Sequence, residues 1–217
     1  MVTKKNILIT AGPTWVAIDR VRVISNLASG ETGFILADKF RKLGAAVTLL
    51  LGPGNYRGLQ KNIELIRFNY FSELASLLDR ELKTKKFTAV IHAAAVADFR
   101  PERVAKHKIS SLRKNWRLNL IPTKKLIKGL KKYQTDLFTV GFKFEPDLPK
   151  DKLLYEAGIL LKESKLNLVV ANSNRNLGYQ AYILNKGYKY GPFLSKTKMA
   201  ACLSVLVMDK AGKRGIN

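Results

Sequence analysis

Apolar and polar residues alternate along the chain in two rhythms. Short uninterrupted apolar runs, typical of strands covered on both faces, occur at 7–10, 46–51, 88–95, 137–142 and 168–171. Apolar residues at helical spacing predict helices at 34–43, 71–82, 124–133 and 151–164 and a last one after 195, with N-caps at Ser72, Thr123 and Ser195. This succession predicts an α/β protein with a Rossmann-like, doubly wound, mostly parallel sheet and helices on both faces.

Weaker patterns complete the predicted fold. Imperfect alternation indicates an edge or mixed strand at 63–68 and a half-exposed strand at 116–121. Two short strands at 182–184 and 188–190 flank a turn at 185–187 and predict a hairpin, and hence a small antiparallel extension of the sheet.

The segment 100–114 is polar and basic and has little periodicity. A loop of this length in a compact domain is more often functional than idle, so we expect a flap there. Because no repeat, low-complexity stretch or linker interrupts the sequence, we expect a single domain over residues 1–217.

Two glycine-rich turns flank the first predicted strand and helix. Gly12, followed by a proline, ends the strand, and Ser29, Gly30 and Gly33 lead into the helix. Such turns present bare backbone N–H groups at a helix N-terminus, which is a favourable place for phosphate. We therefore predict a phosphate site at these turns.

Residues at the ends of other predicted strands extend this candidate site, because open parallel sheets bind ligands beyond the carboxyl ends of their strands. The small residues Ala93, Ala94 and Ala95 would let a ligand lie against the backbone. Asp98 offers a carboxylate for a base, a ribose or a metal-bound water, although an ordinary cap is the better explanation of Asp98 taken alone. Phe142 ends a further strand.

Two polar residues are ambiguous from the pattern. The amide of Asn26 both donates and accepts, which suits orienting a carboxyl or carbonyl substrate, but a turn-forming asparagine explains it about equally well. Lys108 lies on the predicted flap, where a solvated surface charge is the simpler explanation.

The formal net charge is +23, from 39 lysines and arginines against 16 acidic residues, and the pI is near 10.2. Such values are typical of nucleic-acid binders. The basic residues are scattered, however, and no run interleaves with aromatic residues as in a single-strand platform. We favour a lysine-rich surface with a local excess around a polyanionic ligand, and keep a basic Rossmann-like nucleic-acid-binding module as an alternative.

Other classes are disfavoured by single features. One cysteine, Cys202, in an apolar helical pattern argues for a core position and against disulfides or a cysteine-based zinc site. His92 and His107 have no cysteine partners, which argues against a metal cluster. The N-terminal apolar stretch is too short for a signal peptide or a membrane anchor, so we expect a soluble cytoplasmic protein.

A nicotinamide-dependent oxidoreductase is the second alternative. Tyr182 and Lys186 match the Y-x-x-x-K pattern of short-chain dehydrogenases, but they fall on the predicted hairpin rather than on a helix. Gly12 and Gly30 are also too far apart for G-x-G-x-x-G.

Several motifs occur in order over most of the chain: ILITAGPT, IDRVRVISNLASGETG, AAAVADFRP, HKIS, VGFKFE and VVAN. Together they resemble the phosphopantothenate–cysteine ligase family. In many bacteria this enzyme is fused behind a flavin-dependent decarboxylase domain. No such domain precedes Ile7, so the chain resembles the stand-alone form.

The resemblance implies a two-step reaction in coenzyme A biosynthesis. The carboxylate of 4′-phosphopantothenate attacks the α-phosphate of a nucleoside triphosphate, which releases pyrophosphate and leaves an acyl-nucleotide. The amine of cysteine then displaces the nucleotide and forms the amide. The resemblance implies CTP first and ATP second, with Mg²⁺ on the triphosphate.

The same resemblance assigns residues. It implies that Asn26 holds the acyl intermediate and that Lys108, as the first lysine of the flap motif, is also catalytic. It implies nucleotide contacts from Ala93, Ala94, Asp98, Lys124, Lys125 and Phe142. It names no metal ligand in this chain.

Some positions depart from the family pattern. Ser110 replaces the second flap lysine, Glu31 stands where relatives are basic, and Leu160 and Ser164 replace lysines of the CTP-using bacterial members. The flap charge is then expected from Lys106, Arg113 or Lys114.

The resemblance also implies partners. It implies a homodimer with the flap near the subunit boundary, and a separate flavin-dependent decarboxylase as a candidate partner. Membrane association and nucleic-acid binding are not expected.

Overall fold

A computed structural model of the chain describes residues 4–54, 61–112, 114–174 and 178–211. The strands in these ranges are β1 (Asn6–Ala11), β2 (Trp15–Ala17), β3 (Val23–Ser25), β4 (Ala46–Leu51), β5 (Ile63–Arg67), β6 (Ala89–His92), β7 (Phe99–Pro101), β8 (Leu120–Pro122), β9 (Phe138–Phe144), β10 (Leu168–Ser173), β11 (Gln180–Leu184) and β12 (Lys189–Phe193). The α-helices are α1 (Glu31–Lys42), α2 (Phe71–Thr84), α3 (Lys150–Glu163) and α4 (Lys196–Lys210).

An eight-stranded sheet in the order β12-β11-β10-β9-β6-β1-β4-β5 forms the centre of the molecule. The six strands from β10 to β5 are parallel, and β11 and β12 extend the sheet in antiparallel pairing. From β1 the chain first builds outward through β4 and β5, and then returns to the other side of β1 with β6. The predicted doubly wound sheet with an antiparallel extension is confirmed, and its switch point lies between β1 and β6.

Alternating side chains of the strands divide the core into two faces. Ile7 and Ile9 of β1 pack with α1 and α4 on one face, whereas Leu8 packs with α2 on the other. Helix α3 covers the second face beside β10, where Leu153 and Val169 share a cluster. Helices therefore lie on both faces, as the sequence predicts, and each inner strand is apolar on both sides because neither face meets water.

The predicted helix at 124–133 is wrong. Only a 3₁₀ helix forms there, at Leu126–Gly129. Thr123 does not cap it, because the Thr123 hydroxyl donates to the carbonyl oxygen of Ala97 (2.6 Å) and its backbone N–H donates to that of Asp98 (2.9 Å). Tertiary bonds thus hold this segment extended before it reaches the apolar residues that suggested a helix.

Two local predictions also need correction, and one element was missed. The strand expected at 116–121 pairs only over β8, and the short hairpin of β2 and β3 was not predicted. Helix α2 begins after Tyr70 rather than with a Ser72 cap, since the Glu73 carboxylate accepts the backbone N–H of Tyr70 (3.1 Å). The Ser195 cap of α4 is confirmed by the N–H of Lys198, which donates to the Ser195 hydroxyl (3.2 Å).

Candidate active site

The turn after β1 is packed backbone to backbone against the turn after β4. Gly12 has a left-handed backbone (φ +80°), and a Cβ atom on it would lie 3.1 Å from the backbone of Gly52. The N–H of Gly52 donates to the carbonyl oxygen of Ala11 (2.8 Å), and a Cβ on Gly52 would lie 2.2 Å from the carbonyl oxygen of Pro13. Glycine is therefore required on both sides of this contact.

The N-terminus of α1 is pressed onto the end of β1 in the same way. Gly30 caps the helix with a left-handed backbone (φ +85°), close to the backbone nitrogen of Gly12. A Cβ on Gly33 would lie 2.1 Å from the Cβ of Ala11, so the helix axis can approach the strand only with glycine there. The structure thus brings together the predicted phosphate-site residues Gly12, Ser29, Gly30 and Gly33 at one helix N-terminus.

A charged pair lies at that same helix end. Glu31 opens α1 and forms an ion pair with Lys196 of α4. The Glu31 charge, added to the larger effect of burial, raises the pKa of the nearby Tyr179 hydroxyl. Residue 31 therefore places a carboxylate at this helix end, and Lys196 supplies the neutralising charge.

The alanine segment beyond β6 forms hydrogen bonds to the glycine turn across the switch point. The N–H of Ala93 donates to the carbonyl oxygen of Thr10 (3.0 Å), and that of Ala95 donates to the carbonyl oxygen of Gly12 (2.9 Å). The N–H of Thr14 in turn donates to the carbonyl oxygen of Ala95 (3.3 Å). These bonds place Ala93 and Ala94 beside Gly12 at the position where ligands of doubly wound sheets bind.

Asn26 reaches this segment from the end of β3. Its Nδ2 donates to the carbonyl oxygens of Ala95 and Val96, at 3.1 Å each. Bonds to two carbonyls fix the orientation of the amide and leave Oδ1 as an acceptor at the exposed surface. The side chain bonds carbonyls about seventy positions away instead of its own turn, so the turn-forming explanation does not describe it.

Asp98 and Lys125 form an ion pair next to the alanine segment. Lys125 Nζ lies 2.5 Å from Asp98 Oδ1, and more than half of each side chain is exposed. Lys124 is also exposed, and the Thr123 bonds described above hold the lysine pair beside the strand end. The predicted residues Asp98, Lys124 and Lys125 are therefore neighbours, with one acid and one base already neutralised.

The flap predicted at 100–114 begins with the last two residues of β7 and continues in the connection to β8, of which residues 102–112 and 114–119 are described. The buried carboxylate of Asp19 fixes its position. Asp19 Oδ2 accepts the backbone N–H of Ile109 (3.0 Å), and Asp19 Oδ1 accepts those of Val21 (2.9 Å) and Arg22 (2.8 Å). Arg22 Nη1 donates to Asp19 Oδ2 (2.9 Å) and to the carbonyl oxygen of Ile109 (3.1 Å). We call this set of contacts the Asp19 clasp.

Electrostatics reinforce the Asp19 clasp. The Ile109 N–H makes the largest contribution to lowering the pKa of Asp19, followed by the Val21 and Arg22 N–H groups and the Arg22 charge, although burial opposes them. The guanidinium of Arg22 also lies 5.4 Å from the ring centroid of Trp116. Asp19 and Arg22 lie in the motif IDRVRVISNLASGETG, but no role was predicted for either residue. The available signal was that an aspartate commonly accepts the backbone N–H groups two and three positions later in a turn.

Lys108 and Phe142 lie at the margins of this arrangement. Lys108 is exposed on the flap beside Ile109, and no hydrogen bond or ion pair between described residues joins Lys108 to Asn26 or Asp98. Phe142 is one residue beyond the pairing of β9 with the end of β6, on the face that packs with α1 and α4. Of the residues expected to add flap charge, Lys106 and Lys114 are exposed and Arg113 lies outside the described residues.

His92 is a buried residue directly beneath the alanine segment. Its Nδ1 lies 2.9 Å from the Thr10 hydroxyl, which also accepts the N–H of Ala94 (3.3 Å). Burial lowers the pKa of His92 to about 4, so the ring is neutral at pH 7. In the sequence, His92 stood out only as a possible metal ligand. It is instead part of the support of the site.

Two properties of the described residues bear on the expected ligands and location. Over residues 4–54, 61–112, 114–174 and 178–211, no group of three or more His, Cys, Asp or Glu side chains could hold a metal ion. None of the helices in those ranges has the length and apolar character needed to cross a membrane.

A family model described as the DNA/pantothenate metabolism flavoprotein C-terminal domain matches residues 2–206. The chain belongs to this family. The resemblance read from the motifs is thereby confirmed. Because the match covers almost the whole chain, the glycine turns, the alanine segment and the Asp19 clasp are all features of a DNA/pantothenate metabolism flavoprotein C-terminal domain.

Two relatives of this domain are named as coenzyme A biosynthesis bifunctional protein CoaBC. The protein of Thermococcus kodakarensis is 36% identical over 174 residues, which cover 80% of this chain and 42% of the relative. The protein of Haemophilus influenzae is 34% identical over 221 residues, which cover 96% of this chain and 52% of the relative. The chain therefore spans about half the length of these relatives.

The fold also matches that of a solved structure. The DNA/pantothenate metabolism flavoprotein of Streptococcus pneumoniae superposes with a TM-score of 0.84 at 23% identity, covering 95% of this chain and 99% of that one. At this identity the likeness concerns the fold alone.

Proposed function

We propose that the chain is a phosphopantothenate–cysteine ligase that acts through an acyl-nucleotide intermediate. One observation carries the proposal: Asn26 is bonded to the carbonyls of the alanine segment at the switch point of the sheet. An amide held by its NH₂ presents its oxygen to whatever lies on that segment. The names of the relatives, which refer to coenzyme A biosynthesis, support the same assignment.

The chemistry asks the site to bring two anions together, because the phosphopantothenate carboxylate must reach the α-phosphate of the nucleotide. We propose that the Asp98–Lys125 pair opens when the nucleotide binds. Lys125 and Lys124 then neutralise phosphate charge, and Asp98 accepts hydrogen bonds from the base or the sugar. Backbone N–H groups at the start of α1 bind phosphate, and Lys196 holds the Glu31 carboxylate aside.

Asn26 and Lys108 have different proposed tasks. Asn26 orients the acyl group of the intermediate until the amine of cysteine displaces the nucleotide. Lys108 approaches from the flap and neutralises charge that develops at the reacting phosphate. The Asp19 clasp fixes the backbone next to Lys108, so only its flexible side chain needs to move. Phe142 contacts the base.

We propose CTP as the preferred nucleotide and ATP as the second choice. Mg²⁺ enters as part of the nucleotide substrate, with the phosphates among its ligands. An ion bound in this way keeps several waters and needs few protein carboxylates, which agrees with the lack of a three-ligand cluster among the described residues.

A homodimer is also part of the proposal. Large apolar side chains are exposed around the β2–β3 hairpin and on the flap: Val21, Leu27, Val104 and Leu112. Exposed apolar side chains in these two segments fit a contact between two copies near the flap. A separate flavin-dependent decarboxylase is the proposed functional partner, which agrees with the word bifunctional in the names of the relatives. The nucleotide and cysteine substrates favour the cytoplasm.

Pyrophosphate release from 4′-phosphopantothenate, measured with CTP and with ATP, tests the proposal. We expect release with at least one nucleotide and amide product only when cysteine is added. A thermal shift with NADPH, and none with CTP or ATP, would support the oxidoreductase instead. RNA or DNA binding that falls steeply with salt, without any pyrophosphate release, would support the nucleic-acid module.

Asn26→Asp tests the residue that carries the argument. We expect nucleotide binding to persist and amide formation to fall by about 10²-fold, because a carboxylate cannot donate to the Ala95 and Val96 carbonyls and repels an anionic intermediate. Asn69→Asp, an equal change at another exposed asparagine, is the control. Wild-type rates in the Asn26 variant would remove it from the site.

A further inference from the structure

A second concave site lies at the opposite end of the sheet from the candidate active site. A cavity of about 860 Å³ opens at the amino ends of β9 and β10, between the end of α3 and the β11–β12 turn. Leu161, Leu166 and Gly158 contribute apolar lining. A Cβ on Gly158 would meet nothing within 4 Å, so the space is open. None of the proposed ligase residues lines this cavity.

Four lysines from three segments of the chain line this cavity: Lys131, Lys162, Lys165 and Lys186. No carboxylate lines it, and among the described residues none of the four lysines forms an ion pair. The nearby Glu163 carboxylate pairs with Lys128 instead (3.4 Å). Burial, and then the charge of Lys186, lower the pKa of the half-buried Lys131, so like charges are close enough to act on each other.

Two asparagines add further donors. Asn167 Oδ1 accepts the backbone N–H of Thr139 (2.8 Å), and Asn185 Oδ1 accepts those of Gly187 (2.9 Å) and Tyr188 (2.6 Å). Because each side-chain oxygen already accepts a hydrogen bond, both amides are fixed in orientation, and their NH₂ groups remain as donors. The polar side chains that line the cavity therefore offer ammonium and amide N–H groups, which suit a ligand made of acceptors and negative charge.

The C-terminus of α3 explains the position of only two of these four lysines. Lys162 and Lys165 lie at the C-terminus of α3, where cations interact favourably with the helix dipole. Lys131 follows the 3₁₀ helix and Lys186 lies in the β11–β12 turn, so neither gains from that dipole. The charges of these two lysines are therefore offset neither by that dipole nor by a carboxylate that lines the cavity, and an anion bound there would neutralise them.

We propose that this cavity, lined by Lys131, Lys162, Lys165 and Lys186, binds a small anion with several negative charges, of the polyphosphate or phosphate-ester class. Its volume is in the range of small-molecule sites and too small for a folded macromolecule. An adjoining cavity of about 490 Å³ shares Asn167, Asn185 and Lys186 and extends to Lys210, which gives room for an elongated ligand. The site is independent of the proposed ligase reaction.

Calorimetric titration of the full chain with inorganic tripolyphosphate, repeated with CTP, tests this site. The double variant Lys131→Gln with Lys186→Gln is compared with Lys61→Gln with Lys83→Gln, which removes equal charge from exposed lysines elsewhere. We expect the cavity variant to weaken one binding event at least tenfold and the control to stay within about twofold. Whichever anion binds more tightly identifies the source of the phosphate groups.

Three outcomes would overturn the proposal. Equal weakening in both double variants would mean general attraction by the surface charge. If the cavity variant binds both anions as tightly as the wild type does, these lysines do not form an anion site. A single-stranded RNA that binds more tightly than either anion, with the same dependence on Lys131 and Lys186, would replace the small anion by a nucleic acid. Unfolding curves of both variants guard against misfolding.

Discussion

The two ends of the central sheet are built by different means. At the carboxyl end, backbones touch through Gly12, Gly33 and Gly52, and the carboxylates of Asp19 and Asp98 are paired with basic side chains. At the amino end, side chains surround an open cavity and the lysines that line it form no ion pair with a described carboxylate.

This contrast separates two ways of making a site. Close backbone contact fixes atoms within fractions of an ångström, which suits a reaction that must align two substrates. Lysines around an open cavity do not hold a ligand in one precise position, and their positive charges repel one another. Such a cavity suits a negatively charged ligand, which neutralises the lysines when it binds. Each end should therefore respond differently to one added atom or one removed charge.

Gly33→Ala and Gly158→Ala make the sharpest test of this difference. A Cβ on Gly33 would overlap Ala11, so we expect a loss of about 3 kcal/mol in the free energy of unfolding. Gly158 lies within α3 with open space around it, so alanine there should stabilise the protein by about 0.5–1 kcal/mol. Urea unfolding of both variants gives the comparison.

A compensating change distinguishes overlap from a general defect. Ala11→Gly removes the atom that a Cβ on Gly33 would meet, so the double variant should regain part of the lost stability. If Gly33→Ala is as stable as the wild type, the close approach of α1 to β1 does not require glycine at position 33.

Asp19→Asn tests the charge side of the comparison. An amide cannot accept every N–H group that the Asp19 carboxylate accepts, so we expect the Ile109 amide to exchange its hydrogen about 30-fold faster. Asp38→Asn, which alters an ion pair on the surface of α1, should leave that rate unchanged. Lys131→Gln, at the amino end, should cause no loss of stability because it removes repulsion.

Hydrogen exchange measured residue by residue checks these rates. An Ile109 amide that exchanges equally fast in wild type and Asp19→Asn would show that the Asp19 clasp does not hold the flap. A comparable acceleration in Asp38→Asn would attribute the effect to net charge.

The sequence predicted those parts of the molecule whose cause is local. Buried strands such as β1 and β4 are apolar on both faces because helices cover both, and the pattern records that directly. Gly12 and Gly30 were selected for their backbone freedom, and both have left-handed backbones. The pattern also located the strand ends, and with them the neighbourhood of Asp98, but it left the role of Asn26 open.

What the sequence missed depends on partners far along the chain. The position of Thr123 in the sequence is typical of a helix cap, but its hydroxyl donates to the carbonyl oxygen of Ala97 instead, and the helix predicted after it does not form. Asp19 acts on Ile109, ninety positions later. The lysines of the amino-end cavity looked like scattered surface charge, because nothing in a linear pattern brings Lys131 next to Lys186.

The pH dependence of His92 gives a further test, which concerns the support of the carboxyl end alone. Burial lowers its pKa to about 4 from an ordinary 6.5, so between these values the unfolded chain takes up a proton that the folded chain does not. Stability contributed by the neutral ring is therefore complete above pH 6.5 and falls as the pH falls. The loss at pH 5.5 is about 1.4 kcal/mol.

Urea unfolding of the wild type and His92→Gln between pH 7.5 and 5 measures this loss, since glutamine does not titrate and still reaches a hydrogen bond. The carboxyls of Asp19, Asp38 and Glu64 do not interfere, because each has a lowered pKa and loses its contribution only at more acidic pH. Parallel curves for the two proteins would mean that His92 takes up its proton without disturbing Thr10 and the alanine segment. The carboxyl end would then be less rigid than its backbone contacts imply, and the contrast between the two ends would narrow.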